Sequence, residues 1–196
     1  MNKQSFSAVL LMALATSCTV LAQEAAKKDP GPPPTMTKVA HEQLSWVEGD
    51  LVPAAEAMPE DKFGFAPSQG EFKGVRTFAQ QVKHAAAVNY MVAAAMLQEK
   101  VPVDIGTGES GPDSVKTKAE VVKFLKDSFA YAHKAMDAVN ADNATAWIKS
   151  PFGDGQTTRL AMSSVAVAHC FGHYGQMVVY LRMNGIIPPA SRPQQK

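Results

Sequence analysis

The chain has 196 residues, of which 46% are hydrophobic and 19% charged, with a formal net charge of +1. That length supports one domain of common size with a substantial core. No basic run or basic helix stripe concentrates the charge, so recognition of a phosphate backbone is excluded and nucleic acid is not a partner.

The N-terminus carries the pattern of an export signal. Lys3 supplies a positive start, Ala8 to Ala15 (AVLLMALA) a short apolar stretch, and Val20-Leu21-Ala22 the residues before a cut at Gln23. Residues 1–22 are therefore predicted to be a signal peptide, too short and too abruptly ended for a membrane span. A second processing route is open: Ala15-Thr16-Ser17-Cys18 loosely resembles a lipoprotein box, with Cys18 as the lipidated residue. The exported chain is then periplasmic or secreted, or lipid-anchored in the cell envelope. Cleavage after Ala22 removes Cys18 and leaves Cys170 alone, so no intrachain disulfide is expected, and Cys170 is expected to be a small buried hydrophobe rather than a metal ligand. Residues 23–37 (QEAAKKDPGPPPTMT) are charged, then proline-rich, and are predicted to be a flexible linker.

Four helical segments follow, over residues 38–190. In the first, Val39 to Met58, the residues Leu44, Val47, Leu51, Ala55 and Met58 recur at helical spacing, while Pro53 predicts a kink or a break near Val52. His41 is expected to sit partly exposed in the first turn. Thr77 caps the second helix, with Gln80 in capping-box position, and the helix runs to about Gln98. His84 lies within it on the face of Gln81, Val88, Met91 and Ala95, among small alanines. The third helix, capped by Ser114 or Thr117, carries Val121, Leu125, Phe129, Ala132 and Met136 to Asn140, with His133 at the edge of that stripe. Asp154-Gly155 marks a turn, so a small hairpin or irregular loop is expected between residues 143 and 158. The fourth helix starts at Thr157 or Thr158 and stops at Gly185, and IIPPASRPQQK leaves as an extended tail. The order helix, helix, helix, helix without a competing strand pattern predicts an all-α four-helix bundle.

His169 and His173 stand four apart in VAVAHCFGHYGQMVVYLR, which stacks both imidazoles on one helix wall. With His84 from a facing helix they make a predicted three-histidine site for one divalent metal with a fourth position open. Neutral imidazole suits zinc, nickel, copper or iron, so the ligand set does not choose among them. Cys170 stands where a zincin carries glutamate, which removes the general base of a metalloprotease. Polar residues near the ligands along their helices are Asn89, Tyr90, Gln176 and Tyr180. Gln176 shares the ligand face and is a weak candidate to orient bound water, as is Glu48 from the first helix.

Two stretches carry a family resemblance. One is AEAMPEDKFGFAPSQGEFKGVRTFAQQVKHAAAVNY, with Phe63, Phe65 and Arg76-Thr77-Phe78 leading to His84. The other is HCFGHYGQMVVYLRMNGIIPPASR, with the paired histidines before Gly175-Gln176, Tyr180-Leu181-Arg182, a glycine and two prolines. In this order and separation they resemble the DinB/YfiT-like family over about Val39 to Pro189. The resemblance implies an up-down-down-up bundle and a metal held by His84, His169 and His173. It also implies, in some relatives, thiol-dependent isomerase or S-transferase chemistry. The export signal departs from the many cytoplasmic relatives, and small-thiol pools belong mainly to the reducing cytosol.

Three functions remain. The first is an exported metal-dependent hydrolase or transferase acting on an unnamed small molecule. The second is a non-catalytic bundle, metal-stabilised, that binds a ligand or partner in the envelope; the third adds a homodimer through exposed helix faces.

Overall fold

The computed structural model describes residues 31–108 and 110–193, so the predicted signal peptide, Cys18, most of the predicted linker and the last residues lie outside the described residues. The chain divides into two units, Met1–Pro33 and Pro34–Lys196, and the second holds every element below. These are α1 (Met36–Ala57), α2 (Phe78–Leu97), α3 (Lys118–Asp137) and α4 (Arg159–Met183). A hairpin of β1 (Trp147–Lys149) and β2 (Gln156–Thr158) precedes α4, and single 3-10 turns lie at Glu60–Lys62 and Pro189–Ser191. Among the described residues, no helix is long and apolar enough to cross a membrane.

Local chemistry sets the helix starts. Thr77 and Thr117 both form complete capping boxes with Gln80 and Glu120, and Thr158 caps α4 through the amide of Ala161. At α1 the cap is Thr35, so the helix begins at Met36, three residues before the predicted Val39 and inside the stretch assigned to the linker.

Pro53 does not end α1, which runs through it to Ala57. Proline removes one ladder hydrogen bond, but Leu51, Ala54 and Ala55 around it are fully buried. That burial, at about 1.5–3 kcal/mol for a leucine, outweighs the missing bond. The tail is a second difference. Instead of leaving extended, residues 189–191 turn and pack on α1. The Ser191 hydroxyl accepts from Arg182 at 3.1 Å, and Ile186 packs on the core.

The four helices form a square in which α1 borders α3 and α4, and α2 borders the same two. Contacts fix the directions. Trp46 meets Phe171 near the middle of both helices, while Met36 and Leu160 line one cavity at their starts, so α1 and α4 are parallel. Lys126 pairs with Glu56 while His133 pairs with Glu48, so α1 and α3 are antiparallel. Lys83 reaches Val115 while Lys134 reaches Glu99, so α2 and α3 are parallel. The order is therefore up-down-down-up. Leu44, Leu51, Phe78, Leu125, Phe129, Met177 and Leu181 fill the centre with no exposed surface.

Candidate metal centre

Helix α2 is buried on nearly every side, and its open edge carries Gln80, His84, Met91, Ala95 and Gln98. Across that edge α4 runs antiparallel, for Tyr180 meets Arg76 at one end and Arg159 meets Met96 at the other. His84 thereby faces His169 and His173, and the three predicted residues come together.

Their ring centroids lie 4.4 to 5.0 Å apart. The Nε2 atom of His169 is 3.1 Å from that of His84 and 3.1 Å from that of His173. One ligand atom from each residue lies within 4.8 Å of the other two. A metal with bonds of about 2.0–2.1 Å in tetrahedral geometry sets neighbouring nitrogens about 3.3–3.4 Å apart. Hydrogen bonding alone does not satisfy this arrangement. The His169 Nε2 is either one donor or one acceptor, yet it meets two other nitrogens at bonding distance. A cation takes all three lone pairs at once.

The outer shell selects the tautomer that presents those lone pairs. His173 Nδ1 donates to Gln81 Oε1 at 2.5 Å, which leaves its Nε2 unprotonated and turned inward. Gln81 then donates through Nε2 to Gln176 Oε1 at 2.8 Å, which fixes the orientation of its own amide. Gln81 is 2% exposed, so this relay competes with little water.

Charge favours the same state. Burial first, then the neighbouring charges of His84 and Arg76, lowers the His169 pKa to about 4. Burial, followed by His169, His84 and Arg76, lowers that of His173 to about 3. Both rings are neutral at physiological pH, the form a metal requires.

The other predicted residues divide. Gln176 belongs to the relay, with its carbonyl oxygen already engaged by Gln81. Glu48 bonds His133 Nε2 at 2.8 Å between α1 and α3, outside the histidine cluster. His133 is more enclosed than its stripe-edge position predicts, with an 18% exposed side chain stacked 4.2 Å from His41. His41 is the more open of the two, at 43%.

Asn89 and Tyr90 point away from the site. Asn89 donates to Ser128, while Tyr90 packs on Phe124 and Tyr131. Tyr180 donates to the carbonyl of Arg76 at 3.0 Å, pinning α4 to the start of α2. Cys170 is fully buried and donates to Asn89 Oδ1 at 3.2 Å. Burial pushes its thiol up to about 12, as expected of a core residue rather than a nucleophile. Gln81 is the site residue that sequence reasoning passed over as an outer-shell group. Its position three before His84 on the same face was the available signal.

A family model described as the DinB superfamily matches residues 43–177, a span that contains all three histidines. Among solved structures, the chain is similar to the crystal structure of a DinB-like protein from Bacillus cereus ATCC 10987. The TM-score is 0.62 at 11% identity, covering 78% of this chain and 95% of that one. Among curated proteins, none matches.

Proposed function

The chain belongs to the DinB superfamily, and we propose that it is an exported divalent-metal protein whose three-histidine site serves a hydrolase- or transferase-type reaction on a small molecule. The convergence of three Nε2 atoms, with one tautomer set through Gln81 and Gln176, is the observation that carries this reading. His84, His169 and His173 would hold the ion. When bound, a divalent cation with an open position supplies Lewis acidity, lowering the pKa of a water or thiol that it takes up. The protein's own part is to keep His169 and His173 neutral by burial, to hold His173 in one tautomer, and to leave His84 and His169 on a partly open edge. The Arg76 charge, felt at His169 and His173, favours an anionic group near the centre.

The test is metal analysis of protein purified from its native compartment, followed by titration of His84→Ala and His169→Ala. Binding of one ion per chain in the wild type and its loss in both variants is expected. Unchanged binding in both would refute the site. Export is tested by mass spectrometry of the mature N-terminus: a start at Gln23 is expected, an acylated Cys18 assigns lipid anchoring, and a retained signal refutes export.

The alternative, a non-catalytic metal-stabilised bundle, draws on Glu48, whose carboxylate is committed to His133 rather than to the centre. Spectroscopy of the cobalt-substituted protein separates the two, since a fourth protein ligand closing the shell favours the structural role.

A further inference from the structure

The open edge of α2 does not end at the metal ligands. Seven residues beyond His84, about 10 Å along the helix axis, Met91 begins the floor of a cavity of about 570 Å³. Ala95 continues that floor, Val101 and Ile105 form one wall, and Lys149 and Pro151 of the hairpin form the other. The volume falls within the range of about 300–1,000 Å³ typical of small-molecule sites, and the lining is mainly apolar.

The charged groups around this cavity are unevenly satisfied. Glu99 is neutralised, with its carboxylate accepting from Lys134 and from the Tyr131 hydroxyl, each at 3.1 Å. The cations are not neutralised. In the hairpin, Ile148 is buried while its neighbour Lys149 alternates to the exposed face and lines the cavity. Among the described residues no carboxylate pairs with it. The Arg159 guanidinium is held at the end of α2 by neutral groups, donating to the Met96 carbonyl at 2.9 Å and to Gln98 Oε1 at 3.3 Å.

Gln98 itself adopts φ 58, the left-handed conformation. A residue with a Cβ pays about 1–2 kcal/mol there. A glycine would end α2 more cheaply, but it would lose the amide that lines the cavity and holds Arg159.

We propose that this cavity binds the body of the substrate, and that the substrate is an amphipathic anion: an apolar chain or ring whose carboxylate or sulfonate head pairs with Lys149, with Arg159 held behind the lining residue Gln98. Because cavity and histidines share one edge of α2, the far end of such a molecule faces the metal centre. That last step rests on the metal reading, whereas binding in the cavity does not.

The probe is decanoate, measured by displacement of anilinonaphthalene sulfonate from the mature protein after chelator treatment, with decanol as the uncharged control. Wild type binds decanoate with a defined stoichiometry. Ala95→Trp, which fills the floor, abolishes binding. Lys149→Glu, an exposed substitution that leaves the fold intact, weakens decanoate about fivefold to tenfold and leaves decanol unchanged within twofold. Equal decanoate binding in all three proteins overturns the proposal, as does equal weakening of decanol by Lys149→Glu. Zinc titration of Lys149→Glu keeps the two readings apart. Decanoate weakened with zinc uptake intact supports the pocket, and zinc uptake lost in the wild type while decanoate binds overturns only the metal reading.

Discussion

Replacing Gln81 by leucine tests whether the outer shell prepares the histidine site. The substitution replaces the amide with an apolar side chain of similar size at a position that is 2% exposed. It removes the acceptor for His173 Nδ1 and the donor to Gln176 Oε1, two contacts of 2.5 and 2.8 Å. His173 then has no partner fixing which nitrogen carries the proton, and the ring can present N–H instead of a lone pair to the centre. Loss of such a partner lowers metal affinity about 10- to 100-fold, or about 1.4–2.7 kcal/mol. Leaving the buried Nδ1–H unpaired adds a stability cost of about 1–3 kcal/mol to the metal-free protein. Zinc competition against a chromophoric chelator at neutral pH measures the first effect, and thermal unfolding of the metal-free protein measures the second. Gln81→Glu is the internal control, since its carboxylate still accepts from Nδ1 and retains wild-type affinity or better. Gln81→Leu binding zinc within twofold of wild type would show that the relay does not select the tautomer.

Other outcomes follow from the same structure. With His169 and His173 held at about 4 and 3 against an unfolded value of 6.5, the unfolded chain takes up protons first as pH falls. Their contribution to metal-free stability is complete above pH 6.5 and is lost as pH falls from there toward 4. The melting temperature of wild type relative to His173→Gln should therefore decline between pH 7 and pH 5, and a constant difference would contradict the assigned environment. Cys170 in the mature protein should resist a thiol reagent until denaturant is added, because it is fully buried with its thiol at about 12; stoichiometric labelling of the native protein would contradict this. Gly111 has φ +74, and a Cβ there would lie 2.6 Å from Cβ of Lys83, the neighbour of His84. Gly111→Ala should cost about 2 kcal/mol or more in denaturant unfolding, and a near-neutral result would mean that the loop yields.

Much of the fold was legible because it is written in local chemistry and periodicity. Thr77 with Gln80 and Thr117 with Glu120 are capping boxes whose partners lie three residues apart, so they form wherever the helix does. The stripe through Leu44, Val47, Leu51 and Ala55 is buried as its spacing requires, and HxxxH places His169 and His173 on one wall whatever surrounds them. The family resemblance also implies the partner, because its first stretch leads to His84 and its second holds that pair.

Contacts between residues distant in sequence decided the rest. Whether Pro53 ends α1 depends on how much apolar surface the helix buries around it, a property of the assembled core. Whether Glu48 serves the histidine site depends on which side of α1 it faces, and α3 claims it through His133. The tautomer of His173 is set by Gln81, 92 positions away, and Gln81 by Gln176, 95 positions away. Spacing along one helix fixes which residues share a face. It cannot fix which face of another helix arrives opposite, because that follows from packing the whole apolar surface at once. The sequence by itself therefore determined which three histidines could share a site, and the tertiary structure decided their protonation, their support and the cavity that continues from them.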